Sequence, residues 1–288
     1  MANKIKLSTI KHLTLFTWVV LLSNCSDDKD LSGAIYASDS VNDRFEQSIE
    51  WNKINPSKHF ELTSEHYSIL VGADSHIGGT KNFNALVAEA RKPENLALVM
   101  IGDLVTGQKE DYEILNQNLP SFNEVPYFLM VGNHDLFFNG WKTFYEYFGS
   151  STYYFTVSTP TANDIYICID SGSGTIGNKQ LEWLISLLTT ERANYRNCIV
   201  LTHVNFFRNH NQIATNPLVD EIYVLLDLFA KNQINLVITG HDHRKAVYVF
   251  GNTTYITLNS IADSNKTPSY LNINISDQKA DYEFHDFK

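Results

Sequence analysis

What this 288-residue chain lacks narrows its class before any motif is read. Three cysteines are too few for a disulfide scaffold at this length. Its N-terminal apolar run, Leu13 to Leu22, is ten residues long, about half of what a bilayer-spanning helix needs. There is no internal repeat and no low-complexity block. Bases are scarce: 22 Lys and Arg stand against 32 Asp and Glu, a net charge of −10, which argues against a nucleic-acid binder with its basic face. The same scarcity poses a question, because an anionic substrate would need a local source of attraction. What is present is apolar and aromatic side chain, at 43% and 12%, enough to exclude disorder. A chain of this size buries roughly three-quarters of its unfolded surface, so it needs no metal or disulfide merely to fold, and one large or two small domains are expected.

The N-terminal run has the flanks of a secretory signal: Lys4, Lys6 and Lys11 precede it and no acid does. Leu22-Ser23-Asn24-Cys25 follows, and it resembles the lipobox of bacterial lipoproteins, which implies lipidation of Cys25. The alternative is a buried amphipathic helix with an incidental cysteine. The expected organisation is a lipoprotein signal peptide over 1–24, a tether and loosely packed lead-in over 25–62, and the folded domain over 63–288. Cleavage would leave 19 bases against 32 acids, deepening the net charge to −13. The product would be exported and lipid-anchored to a bacterial membrane, periplasmic or surface-exposed.

From residue 67 onward, short apolar runs alternate with amphipathic stretches. Strands are expected at 67–73, 96–101, 125–131, 153–157, 165–169, 198–201 and 236–238, with late β segments at 248–258 and 271–275. Helices are expected at 82–91, 109–119, 180–188 and 219–231. This alternation implies an α/β layered sheet. Cys168 and Cys198 sit inside apolar strand runs and read as buried thiols, although export would permit a disulfide between them if their strands were neighbours.

Polar chemistry gathers just beyond the strands, where open α/β sheets form their sites. The turns read Asp74-Ser75-His76, Gly102-Asp103, Gly132-Asn133-His134-Asp135, Thr202-His203 and Gly240-His241-Asp242-His243. Coincidence is a poor account, since a Gly-Asn-His-acid tetrad has a chance expectation of roughly 0.5% and Gly-His-x-His roughly 2%.

This ordered set resembles the calcineurin-like metallophosphoesterase family, whose pattern is Asp-x-His, Gly-Asp, Gly-Asn-His-Asp/Glu, a lone His, then Gly-His-x-His. The resemblance implies a four-layer sandwich of two mixed β-sheets flanked by helices. It implies two divalent metal ions (Mn, Fe, Zn or Ni), one held by Asp74, His76, Asp103 and His243, the other by Asp103, Asn133, His203 and His241. The implied reaction is hydrolysis of phosphate mono- or diesters by a metal-bridging hydroxide, with His134 at the leaving group and Asp135 holding the His134 ring. Asp242 is a candidate partner for a ligand histidine. Thr106 stands where purple acid phosphatases carry a tyrosine ligand, which argues against an iron(III)-tyrosinate site. Phe137 and Trp141 follow His134, and Asn205 and Arg208 follow His203; together with Arg244 they are candidate substrate contacts, against the alternative of a packed hydrophobic rim. The partner expected is a phosphate ester, with no nucleic acid as a stable partner and membrane contact only through the lipid. Rival readings are a catalytically silent binding module on this fold and a metallohydrolase of another bond.

Overall fold

A computed structural model describes residues 38–208, 215–277 and 279–287; residues 1–37, Cys25 among them, lie outside. Two mixed sheets pack face to face between two layers of helices. The five-stranded sheet has the order β12-β11-β2-β3-β4, built from β2 (Tyr67–Gly72), β3 (Asn95–Ile101), β4 (Tyr127–Met130), β11 (Ser269–Ile275) and β12 (Ala280–Asp286). The seven-stranded sheet has the order β1-β5-β6-β7-β8-β10-β9. Its strands are β1 (His59–Glu61), β5 (Tyr153–Ser158), β6 (Asn163–Cys168), β7 (Asn197–Leu201), β8 (Leu236–Thr239), β9 (Ala246–Phe250) and β10 (Thr253–Thr257). β2, β3 and β4 run parallel to one another, as do β6, β7, β8 and β10.

Alternation along each strand divides the apolar side chains into layers. Ile69, Val71, Val99 and Ile101 meet Phe155, Tyr166, Ile199 and Ile238 between the sheets. The opposite faces of the same strands receive helices. On the five-stranded side these are α2 (Lys81–Ala90), α3 (Lys109–Asn118) and α4 (Gly140–Phe148), through Phe83, Leu86, Tyr112 and Phe144. On the seven-stranded side they are α5 (Gly177–Glu191) and α6 (Val219–Lys231), through Leu184, Leu188, Leu225 and Phe229. Because both faces are covered, β2 reads in sequence from Ile69 to Val71 as consecutive apolar residues rather than an alternation.

β6 and β7 are neighbours, yet Cys168 and Cys198 cannot bond. Cys198 pairs with Ile165, three residues from Cys168, so one thiol faces the inter-sheet core and the other the helix layer. Both are free, and burial pushes the Cys198 thiol up to about 12.

The stretch expected to be loose lead-in is packed from its middle onward. α1 (Val41–Ile54) begins at a capping box in which Ser40 and Asp43 exchange bonds, and it docks against α5 and β5. Its inward face is Val41, Arg44, Phe45 and Ser48. The spacing is helical, but two of those four are polar, so no apolar period betrays the helix in sequence. Arg44, 1% exposed, pairs through Nε and Nη2 with Asp170 at 2.7 and 3.1 Å. Ser48 Oγ accepts from Ser151 N–H and Asn52 donates to the Thr152 carbonyl, so tertiary hydrogen bonds do the work of an apolar stripe.

Removing one partner of a buried ion pair strands the other charge, at a cost of about 3–5 kcal/mol. Arg44→Ala is therefore expected to lower unfolding free energy by that order in urea denaturation, while Lys53→Ala on the exposed end of α1 changes it little.

Candidate metal centre

The carboxyl ends of β2, β3, β7 and β8 converge on one rim of the sandwich. Asp74 N–H donates to the Gly102 carbonyl, Gly240 N–H to the His203 carbonyl, and His203 Nδ1–H to the Ile101 carbonyl at 2.9 Å. The last bond crosses from one sheet to the other. The loop after β10 also crosses, where Ser260 Oγ and Ala262 N–H both donate to the Asp74 carbonyl. Asp263 on that loop then caps α2, accepting from Lys81 and Asn82 N–H, a service the adjacent Thr80 side chain does not perform.

The turns are strained where the expected ligands sit. Asp74, His76, Asp103, His241 and His243 all have left-handed φ, between +41° and +71°. Each such residue costs on the order of 1–3 kcal/mol and persists where the surroundings enforce it, as at functional sites. The motif glycines are what lets these turns close. A Cβ on Gly102, itself at φ +89°, would lie 2.6 Å from His203 Nδ1; one on Gly132 would strike the Asp103 carboxylate.

Within this frame the seven candidate ligands form two groups joined at Asp103. Asp74, His76 and His243 offer ligand atoms within 4.8 Å of one another, and so do Asp103, His203 and His241. Asp103 Oδ2 is 3.3 Å from His203 Nε2 and 3.9 Å from His76 Nε2, so one oxygen looks into both groups. Asp103 Oδ1 accepts the His134 N–H at 2.8 Å. His243 Nε2 is 3.3 Å from Asp74 Oδ1 and 3.1 Å from His76 Nε2. Asn133 Oδ1 lies 3.2 Å from His203 Nε2. His203 gives its Nδ1–H to Ile101 and His241 its Nε2–H to the Thr215 carbonyl at 2.9 Å. Each ring therefore has its other nitrogen left to offer a cation, once that nitrogen is free of a proton. Buried carboxylates, an amide oxygen and imidazole lone pairs converging in pairs form a donor set that fits two divalent cations.

His134 sits at the edge of this cluster, half-buried. Its ring centroid is 4.6 Å from His76 and 4.6 Å from Phe137. Its ring nitrogen also falls within ligand distance of His76 and Asp103, a proximity the motif alone did not reveal.

Several expected roles are corrected by the geometry. Asp135 does not hold the His134 ring. Its buried carboxylate accepts from the N–H groups of Gly132, Leu104 and Val105, binding the second and third motif loops together. Burial raises its pKa to about 7 against those three donors, and the charge of Asp103 adds to the rise. Trp141 is core rather than rim: it is 3% exposed, stacks on Phe144 and donates its indole N–H to Gln47. Asn205 is buried and donates to Asp242; Arg208 and Arg244 also turn to Asp242, at 3.0 and 3.4 Å. Asp242 thus contacts these side chains and touches no ligand histidine directly. Phe137 remains beside His134, and Phe138, 41% exposed, is the aromatic that reaches solvent there. Thr106 donates to Asp111 at the start of α3.

The comparisons with known proteins agree with the architecture. A family model described as calcineurin-like phosphoesterase matches residues 67–245, and the chain belongs to that family. A dimetal phosphatase from Danio rerio is similar at a TM-score of 0.60 and 12% identity, covering 77% of this chain and 98% of that one. GAP50, described as the anchor in the inner membrane complex of Plasmodium, gives 0.59 and 15%, covering 77% and 84%. A purple acid phosphatase from yellow lupin seeds gives 0.59 and 12%, covering 78% of this chain and 52% of that one. Identities this low establish the shared fold. No curated protein matches the chain.

Without cations, protons balance the acids. Burial depresses His203 and His243, but the charge of Asp103 outweighs it at His203, lifting that ring to about 10, and the charge of Asp74 lifts His243 to about 9. Both rings are then charged at neutral pH and must release a proton to bind a cation. Metal uptake at pH 7 is thus expected to release up to about two protons and to tighten as pH rises towards 9. Titration calorimetry in buffers of different ionisation enthalpy reads this directly; a pH-independent affinity would contradict it.

Proposed function

We propose that this chain is a two-metal phosphoesterase hydrolysing phosphate mono- or diesters, exported and held to a bacterial membrane by a lipid on Cys25. The observation that carries the catalytic reading is the placing of one Asp103 oxygen between the two ligand groups, which suits a carboxylate shared by two cations. Divalent cations bound there supply Lewis-acid charge to the phosphoryl oxygens and acidify the attacking water. The chain's own residues do the rest. Asp74, His76, Asp103 and His243 on one side, and Asp103, Asn133, His203 and His241 on the other, fix where the phosphoryl group sits. His134 is held over that position by Phe137 and by its own N–H on Asp103, where its ring donates a proton to the departing oxygen. Phe137 and Phe138 offer an apolar ledge for the organic part of the ester. The donor set accommodates manganese, iron, zinc or nickel. The net acidic charge disfavours nucleic acid as a stable partner. No helix among the described residues is long and apolar enough to cross a membrane, and the lipid on Cys25 is the proposed attachment.

Chelation should abolish hydrolysis of aryl phosphate esters and manganese should restore it. His134→Ala is expected to keep its metal and lose about 10²–10⁴-fold in kcat. Two bound cations without turnover of monoester or diester would instead favour the catalytically silent binding module. In the native host, the intact mass of the mature chain tests the anchor: a terminus still at Met1 would overturn it.

A further inference from the structure

Asp242 stands between two candidate ligands, His241 and His243, yet its carboxylate points away from them and is fully buried. Its Oδ1 lies 3.0 Å from Arg208 Nε; its Oδ2 accepts from Asn205 Nδ2 at 3.0 Å and from Arg244 Nη2 at 3.4 Å. Arg208 continues outward, donating Nη1 to the Thr215 carbonyl and, at 2.9 Å, to Asn216 Oδ1. The Thr215 carbonyl is also the acceptor for His241 Nε2–H at 2.9 Å. A carbonyl oxygen has two lone pairs, and His241 and Arg208 use both.

We infer that Asp242 and Arg208 are positioning residues for the metal position made by Asp103, Asn133, His203 and His241. They act by holding the Thr215 carbonyl against His241 Nε2. That carbonyl accepts only from an N–H, so it selects the ring tautomer protonated at Nε2 and leaves Nδ1 as the nitrogen a cation at this position would use. The contrast with His203 shows why a tie is needed. The partner of His203 is the carbonyl of Ile101, within β3, whose place the sheet ladder sets. The partner of His241 lies in the loop before α6, outside any ladder, so its place depends on what pins that loop. Arg208 spans the gap, and the buried Asp242 fixes the guanidinium that spans it. The same contacts remove Arg208 from phosphate binding. No corresponding tie reaches His76 or His243 among the described residues, so the effect belongs to one metal position and not to both.

The inference rests on the two-metal reading for its metal-binding consequence but not for its tautomer consequence. Arg208→Met and Asp242→Asn are the test variants, with thermal unfolding recorded to confirm that each folds. In the metal-free protein, nitrogen NMR of the histidine side chains should show His241 protonated at Nε2 in the wild type and a mixture of tautomers in both variants. In manganese titrations one of two binding events should weaken by about 10–100-fold while the other is unchanged, and the spin-coupled dimanganese signal should be lost when manganese is limiting. Arg208→Lys, which keeps a donor for Thr215, should recover part of both readouts. Equal weakening of both positions, no weakening of either, or a wild-type His241 protonated at Nδ1 would overturn the positioning role. A wild type that takes up fewer than two cations would sink the two-metal reading instead, and the tautomer result would still decide the role of Arg208 and Asp242.

Discussion

A carboxylate shut away from water must be met by opposite charge or by donors, because an uncompensated buried charge is among the most costly features a fold can hold. Asp103 is 1% exposed, and the architecture around it follows from that requirement. His203 approaches it from the seven-stranded sheet and His76 from the five-stranded sheet, while the His134 N–H closes over Oδ1. The approach is possible because Gly132 leaves room for the carboxylate, and because Asp103 takes a left-handed turn directly after β3. One side chain thereby links three loops and both sheets. The cluster that results keeps Asp103 well below the usual carboxylate range; burial opposes this, but the charges of His203 and His134 prevail.

The frame that supports this cluster extends beyond the segment matched by the family model. α1 precedes that segment, yet Arg44 reaches into the loop after β6 and pairs with Asp170. The next residue, Ser171, accepts from the N–H groups of His203 and Val204. A helix outside the matched region is therefore two residues from a candidate ligand in hydrogen-bond terms. On the other flank, residues 258–263 leave β10, cross to the five-stranded sheet and brace the Asp74 turn. The two sheets are joined by an apolar core in the middle and by polar contacts at the rim where the turns meet. That division of labour is consistent with a rim of strained turns on a rigid support.

The acidity of the chain also takes on a local meaning. An overall excess of acid would repel an anionic ester, but Asp74 and Asp103 are buried and surrounded by histidines rather than displayed. On the two-metal reading, cations at that rim present positive charge where the substrate arrives, whatever the total elsewhere.

Most of the elements were legible in the sequence, because strands buried on both faces appear as apolar runs and α2, α3, α5 and α6 carry apolar periods. The missing ones have physical reasons. α1 buries polar side chains in place of an apolar stripe, α4 starts at Gly140 after a left-handed Asn139 with no side-chain cap to mark it, β1 is three residues long, and β12 carries acids along its exposed face. The candidate ligands were legible because each stands immediately after a strand, so local order alone places it on the rim. The neighbours of those ligands were not. Asp135 bonds to backbone about thirty residues away, Trp141 to Gln47, and Arg208 to a residue beyond its own loop. Sequence by itself determined which residue types arrive at the ends of the strands and in what order, since strand, turn and glycine are local properties. Only the tertiary structure decided which of them face the cluster and which hold the loops, since a side chain's hydrogen-bond partner is chosen by distance in space and not along the chain.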